Sequence, residues 1–366
     1  MKSERSRCDD ALKPLSYEDD YIYFKDIDGG LVKLDLNENF LIDENFMRYL
    51  LASACKDVDP RIYPPPRGKL AVTAIAEFYG LDEEMVVVGS GVDELLDLIS
   101  KKFVVKGANT LIVEPTYYMY SFFVNLYKGN KIDVLLKPNF ELDVDRILSL
   151  KNNASLLILC SPNNPTGNQF NEDDVKALLE EFKGLIVIDE TYVEFAKYSL
   201  LPMVKKFDNL IVLRTFSKAF GMAGMRAGFI VANPSVTRCL REVMLPFNVN
   251  TVTQKMIVLA LKNYSYFKGR INQIICEREW LFEKLRQIEG VKPYPSDTNF
   301  ILTRITKGEM SSSNMRELLR KKNVLVRDRG ASPLLDNCIR VSVGTRKMNK
   351  TFLNTLEEVL KNVKAQ

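Results

Sequence analysis

Between residues 84 and 232 the chain alternates short apolar runs with stretches that read as helices. The runs fall at 85–88, 110–113, 132–136, 155–160, 185–188, 210–213 and 228–231. Most are apolar throughout and do not alternate with polar residues. Strands covered on both faces of a mainly parallel sheet have this pattern. The helical stretches between them include 93–102, 117–127 and 171–182. The pattern predicts an α/β layer domain, with a mostly parallel sheet of about seven strands flanked by helices.

Beyond Asn250 the texture changes. One long helical stretch covers 253–287. Strand candidates follow at 299–303, 324–327 and 339–343, with helices at 313–322 and 347–363. This is the pattern of a smaller α+β domain. Residues 31–36 read as a short strand that packs with it. The expected division is a large domain at 40–250 and a small one made of 1–39 and 251–366.

Composition narrows the chemistry. Net charge is +4, from 51 basic and 47 acidic residues spread along 366 positions. That balance points away from nucleic acid as a partner. No apolar run approaches the ~20 residues needed to span a bilayer, so no membrane partner is expected. The first ten residues are charged and lack the apolar stretch of a secretory signal. The 6 cysteines form no C-x-x-C pair, which suits a reducing cytoplasm. The sequence has no histidine. Its absence excludes serine–histidine and cysteine–histidine catalysis, leaving Lys, Asp, Glu, Tyr or Cys as the general base. With no histidine and no paired cysteines, no metal site is expected.

Open parallel sheets bind ligands at the carboxyl ends of their strands. The run at 185–188 ends in Asp189-Glu190, with Tyr192 close behind. A carboxylate there can pair with a cationic ring nitrogen, or simply cap a helix. The run at 210–213 leads into Arg214-Thr215-Phe216-Ser217-Lys218-Ala219-Phe220-Gly221. Its hydroxyls and backbone N–H groups can cradle a phosphate, with Arg226 as a bidentate clamp. A lysine desolvated beside cations can form an imine with an aldehyde. The run at 85–88 ends in Gly89-Ser90-Gly91-Val92-Asp93-Glu94 before a helix, an arrangement that suits an anion. It is not a nucleotide-triphosphate loop. The run at 155–160 ends in Ser161-Pro162-Asn163-Asn164-Pro165-Thr166-Gly167, and that at 110–113 in Glu114-Pro115-Thr116-Tyr117. Tyr117 could stack on a flat ring. Each feature alone has a plain structural alternative. Together they supply what one flat phosphorylated aldehyde needs.

The S-K-x-x-G-x-x-G-x-R run from Ser217 to Arg226 and the S-P-N-N-P-T-G run from Ser161 to Gly167 are specific in combination. With Leu36-Asn37-Glu38-Asn39, Tyr63-Pro64 and Arg340-Val341-Ser342-Val343-Gly344-Thr345, the chain resembles the fold-type-I pyridoxal-phosphate aminotransferases (the aspartate-aminotransferase-like fold). It is most similar to their histidinol-phosphate aminotransferase branch. The resemblance runs over nearly the whole chain.

The resemblance implies pyridoxal 5'-phosphate as cofactor and ping-pong transamination. It implies histidinol phosphate with 2-oxoglutarate, or imidazole-acetol phosphate with glutamate. It implies Lys218 as the lysine that holds the cofactor aldehyde and shuttles a proton, and Asp189 as partner of the ring nitrogen. Asn164 and Tyr192 would hold the ring hydroxyl and Tyr117 would cover the ring. Gly91, Val92, Asp93, Thr215, Ser217 and Arg226 would bind the phosphate. Tyr63 would reach the phosphate of a neighbouring subunit, implying a homodimer with shared sites. Arg340, Arg327, Asn37 and Tyr17 would meet the substrate, although Tyr17 aligns only after a shift. Threonine-phosphate decarboxylases carry the same motifs, so cleavage of a different bond at the α-carbon stays open. Aspartate and aromatic amino acids also stay open as substrates. A non-catalytic binding protein is disfavoured by the intact Lys218, Asp189 and Arg340.

Overall fold

The computed structural model describes residues 30–362. The strands are β1 (Val32–Lys33), β2 (Val86–Gly89), β3 (Asn109–Glu114), β4 (Asn130–Leu135), β5 (Leu156–Cys160), β6 (Leu185–Asp189), β7 (Leu210–Thr215), β8 (Gly228–Ala232), β9 (Val291–Pro293), β10 (Phe300–Ile305), β11 (Val324–Leu325), β12 (Arg327–Asp328) and β13 (Cys338–Ser342). The α-helices are α1 (Glu44–Cys55), α2 (Lys69–Tyr79), α3 (Gly91–Phe103), α4 (Met119–Leu126), α5 (Val144–Ser149), α6 (Glu172–Glu181), α7 (Pro234–Val243), α8 (Thr251–Lys262), α9 (Tyr264–Arg286), α10 (Ser312–Lys321) and α11 (Arg346–Asn362).

Strands β2 to β8 form one sheet in the order β2-β8-β7-β6-β5-β3-β4. Strands β3 to β7 are mutually parallel, while β8 runs antiparallel to both neighbours. Successive residues of a strand point to opposite faces. Leu156 and Ile158 accordingly pack with Leu95, Ile99 and Val124 of α3 and α4. Leu157 and Leu159 join the second core, which contains Ile75 of α2, Val175 of α6 and Ile257 of α8. The runs are apolar on both faces because both faces are covered.

Residues beyond 290 build a four-stranded sheet, β12-β13-β10-β9. Strand β1 pairs in parallel with β11, with Val32 opposite Val324. A third core of Leu281, Leu285, Ile301, Val341, Phe352 and Leu356 lies under these strands.

Three elements differ from the sequence reading. The helical stretch at 253–287 is two helices. Asn263 breaks it at φ −103° and ψ 25°, with its side chain donating to the carbonyl of Leu259 at 2.8 Å. Asparagine competes for backbone hydrogen bonds and so suits helix ends. The run at 324–327 splits at Val326, because β11 pairs with β1 while β12 pairs with β13. The strand read at 31–36 is confined to Val32–Lys33.

Glu190 and Arg214 brace the sheet behind the strand ends. Arg214 donates to the Glu190 carboxylate from Nε at 3.0 Å and Nη2 at 2.8 Å. It also donates to Tyr79 Oη at 3.2 Å. Glu190 further accepts from Ser199 Oγ at 2.9 Å. Both residues are buried. Removing one member of a buried pair leaves the other charge unpaired, so Arg214→Met should cost about 3–5 kcal/mol. Denaturant unfolding checks this. A loss within error of zero would show that the pair does not brace the fold.

Candidate active site

The carboxyl ends of β3, β5, β6 and β7 open at one edge of the large sheet. Because β8 is antiparallel, Thr215 at the end of β7 faces Gly228 at the start of β8. The segment before β8, which holds Arg226, therefore reaches the same edge. A cavity of ≈ 200 Å³ lies there. Strand ends supply Asn164, Asp189, Tyr192, Thr215, Ser217 and Lys218 to its wall, and the residues after β3 supply Tyr117. Val92 and Asp93, at the start of α3, also line it, with Asn37, Arg226, Arg327 and Arg340. Gly91 sits directly before Val92 as the first residue of α3. Tyr63 is not brought to this cavity within the chain. It is 77% exposed and stacks on Phe247 with ring centroids 4.7 Å apart. Tyr17 lies outside the described residues.

Lys218 Nζ donates to the backbone carbonyl of Leu36 at 2.9 Å. Burial, then the Arg340 guanidinium, push its pKa down from 10.5 to about 8, aided by Arg226 and Lys33 and opposed by Glu38. Desolvation disfavours the charged form of an amine, and nearby cations add to that effect.

Asp189 is 2% exposed. Tyr120 Oη donates to its Oδ2 at 2.7 Å, and the Thr191 N–H donates to Oδ1 at 2.9 Å. Burial raises its pKa, and these two hydrogen bonds oppose the rise. Tyr192 Oη accepts from Asn37 Nδ2 at 3.0 Å. Burial pushes the Tyr192 phenol up to about 12. Asn37 is held at φ 56°. Its N–H donates to Ser342 Oγ at 2.9 Å, and its carbonyl accepts from Asn299 Nδ2 at 2.9 Å. The segment after β1 is thereby tied to β13 and to the turn before β10.

At the start of α3, Gly91 has φ +83°, and a Cβ there would fall 2.5 Å from Arg226 Nη2. Only glycine lets the guanidinium lie against the helix start. The Ser90 N–H is already taken by the Glu94 carboxylate. The next N–H groups, of Val92 and Asp93, are among those that a helix leaves without internal partners. Arg226 Nη2 donates to Asp93 Oδ2 at 3.1 Å, and Tyr117 Oη donates to Asp93 Oδ1 at 3.1 Å. Thr215 Oγ1 accepts from the Ser217 N–H at 3.0 Å and donates to the Ala227 carbonyl at 3.2 Å.

On the four-stranded sheet, Arg340 is 4% exposed. Its Nη1 donates to Asn164 Oδ1 at 2.7 Å and its Nη2 to the Asp35 carbonyl at 2.6 Å. Both acceptors are neutral, and Nε is buried without a partner.

These residues fit pyridoxal phosphate. Asp189 is a buried carboxylate with no cation paired to it among the described residues, which suits a protonated ring nitrogen. Lys218 is a half-buried lysine whose amine has a lowered pKa, which suits an aldehyde. The helix start, the two hydroxyls and Arg226 suit a phosphate.

Sequence reasoning missed Tyr120, Thr191 and Arg329, all of which line the cavity. Tyr120 was legible in principle, because it lies three residues after Tyr117 and such neighbours share a helix face. Arg329 lies two residues after Arg327, the spacing that keeps side chains on one face of a strand. Thr191 acts on Asp189 through its side chain and its backbone N–H, two residues on in the turn after β6.

The profile of the class I and II aminotransferases matches residues 33–356. A histidinol-phosphate aminotransferase of Caldanaerobacter subterraneus subsp. tengcongensis is 34% identical, over 90% of this chain and 93% of its own. The histidinol-phosphate aminotransferase of Sinorhizobium meliloti, solved in complex with pyridoxal-5'-phosphate, superposes with a TM-score of 0.84 at 23% identity, covering 96% of this chain and 98% of that one. The L-threonine-O-3-phosphate decarboxylase of Porphyromonas gingivalis superposes with a TM-score of 0.79 at 24% identity, covering 90% and 99%.

The shift of Lys218 has a measurable sign. Its pKa is lowered, so the amine is mostly neutral above about pH 8, where an ordinary lysine near 10.5 stays protonated. Only the neutral amine is acylated. In the cofactor-free protein, the acetylation rate of Lys218, read by peptide mass spectrometry, should inflect near pH 8. An inflection near 10.5 would show that burial does not set its basicity.

Proposed function

The chain belongs to the class I and II aminotransferases and is a pyridoxal-phosphate-dependent enzyme of that family, and we propose that it moves an amino group between histidinol phosphate and 2-oxoglutarate. The observation that carries the substrate reading is Arg340, a buried cation whose side chain meets only neutral acceptors. It leaves room for an anionic group on the substrate, with Arg327 beside it as a second cation. The similarity to named histidinol-phosphate aminotransferases supports a phosphate as that group.

When bound, pyridoxal phosphate supplies an electron sink for the bonds at the substrate's α-carbon. The chain's own residues do the rest. Lys218 holds the cofactor's aldehyde carbon. With the donor amine bound there instead, Lys218 Nζ would be free to act as the base that takes the proton from the substrate's α-carbon and as the acid that gives it back. A pKa of about 8 suits both halves of that task near neutral pH. Asp189 keeps the ring nitrogen protonated, and Tyr120 and Thr191 hold its carboxylate in place. Tyr192 and Asn164 meet the ring hydroxyl, and Tyr117 covers the ring. Val92, Asp93, Thr215, Ser217 and Arg226 take the phosphate, with Gly91 keeping the approach open. Asn37, fixed by Ser342 and Asn299, lies on the substrate side.

The division of labour follows the sheets. Residues 40–250, with α8 packed in the same core as α2, form the cofactor-binding part, and β1 with the four-stranded sheet, α10 and α11 form the part that closes on substrate. The pairing of β1 with β11 and the bonds of Asn37 to Ser342 and Asn299 support this grouping. The homodimer is supported by an exposed apolar group. Ile62 is 68% exposed, Tyr63 77% and Leu245 68%, and the two segments meet where Tyr63 stacks on Phe247. Large apolar side chains exposed together mark association surfaces. The five described cysteines are free thiols, which supports a reducing cytoplasm.

Two measurements test these readings. Histidinol phosphate and glutamate, added separately to the yellow holoenzyme, should each bleach its visible band to the pyridoxamine form. Bleaching by another donor alone would remove the substrate reading and keep the chemistry. Carbon dioxide release from phosphothreonine would replace transamination with decarboxylation. Light scattering should give twice the 41.8 kDa chain mass, and Tyr63→Glu should lower both that mass and the activity. A fully active monomer would remove the shared site.

A further inference from the structure

Three arginines project from one two-stranded ribbon. Arg327 on β12 stands directly opposite Arg340 on β13. The ladder continues one step further, because the Arg329 N–H donates to the Cys338 carbonyl at 2.8 Å. Residues two apart share a strand face, so Arg327, Arg329 and Arg340 share one face. All three line the cavity. Like charges opposite each other on a ribbon destabilise it, so this arrangement calls for compensation.

For Arg329 and Arg340 the described residues supply no carboxylate. Asp328, between the two β12-side arginines, turns its carboxylate to the Gly330 N–H at 2.9 Å. The Asp35 side chain is paired with Lys33 at 3.2 Å and offers Arg340 only its backbone carbonyl. No carboxylate lies within ion-pair distance of Arg329 or Arg340 among the described residues. The Nε atoms of both are buried without a partner. Burial and the two neighbouring arginines pull the Arg329 pKa down to about 9. On the other wall the charge is balanced, since Arg226 faces Asp93.

We propose that Arg329 is a specificity-determining residue that engages a dianionic phosphate monoester on one substrate and contributes little to the single carboxylate with which the other substrate meets Arg340. The inference rests on the transaminase reading above. Its chemical basis is the number of acceptor oxygens. A carboxylate has two, which one guanidinium fills by a bidentate pair. A phosphate monoester has three terminal oxygens and about twice the charge near neutral pH, so it can serve a further guanidinium. In a ping-pong enzyme both substrates use one cavity in turn. Arg329 therefore separates the two half-reactions, while Arg340 serves both.

The test measures both half-reactions in wild type, Arg329→Met and Arg329→Lys holoenzyme. In Arg329→Met the KM for histidinol phosphate should rise about tenfold or more, the size expected for a lost hydrogen bond to a charged group. The KM for glutamate should change less than about twofold. Arg329→Lys keeps the charge but not the fork and should fall between. A second arm uses simple anions against glutamate turnover. Inhibition of the holoenzyme by inorganic phosphate should weaken about tenfold in Arg329→Met, and inhibition by acetate should not. An equal rise in both KM values, or no rise in either, overturns the assignment. If wild type does not turn over histidinol phosphate, the substrate reading fails, and the phosphate–acetate comparison still decides the role of Arg329. Equal effects on the two anions would end it.

Discussion

A carboxylate at the buried end of β6, held without a cation among the described residues, is the constraint on which the rest of the site depends. Taking a charged group out of water is costly unless it is hydrogen-bonded or paired. Among the described residues, Tyr120 and Thr191, through both its side chain and its N–H, offset that cost for Asp189. Both partners are fixed by the fold, Thr191 by the turn that follows β6 and Tyr120 by the seat of α4 on the sheet. The anion therefore waits in a set position for a cationic ring. Lys218 is the converse case, a cation made reluctant by the same burial and by Arg340. The two unfavourable placements face one cavity, and one aromatic aldehyde with a basic ring nitrogen relieves both.

Such placements need a rigid frame, and the parallel sheet supplies it. The strand ends are aligned by ladder pairs such as Cys160 with Asp189 and Asp189 with Leu213. Behind the pocket, Arg214 and Glu190 tie β7 to the end of β6. Adjacent residues thus divide the work. Asp189 and Thr215 line the cavity, and Glu190 and Arg214 hold the strands that carry them. Glu194 lies 3.5 Å from the Arg214 guanidinium, and burial pushes its pKa up to about 7 against the pull of Arg214.

Much of this was legible in the sequence. The apolar runs marked the strands because both faces are covered, and the ends of those runs pointed to Asp189, Thr215, Lys218 and Asn164. Pattern alone could not see through Asn263, whose helix break depends on one side chain folding back to a carbonyl. Nor could it split 324–327, because β11 and β12 differ only in which distant strand they meet. At the site, side-chain motifs carried the cofactor groups well. They carried the supporting groups poorly, since Tyr120 and Thr191 act on Asp189 and not on a ligand. Arg329 escaped because a third arginine reads as surface charge until the register places it opposite Cys338.

The edge position of β2 has a consequence for the order of assembly. Its sole strand neighbour is β8, joined through pairs such as Val88 with Phe229. The glycine turn that opens α3 follows directly from β2. On a ribosome, β2 emerges long before β8, and contacts between distant segments form late. The cradle at Gly91 is therefore encoded early and closed only when β8 inserts between β2 and β7. A chain truncated before residue 228 would carry every residue of that turn and no wall for it to rest on.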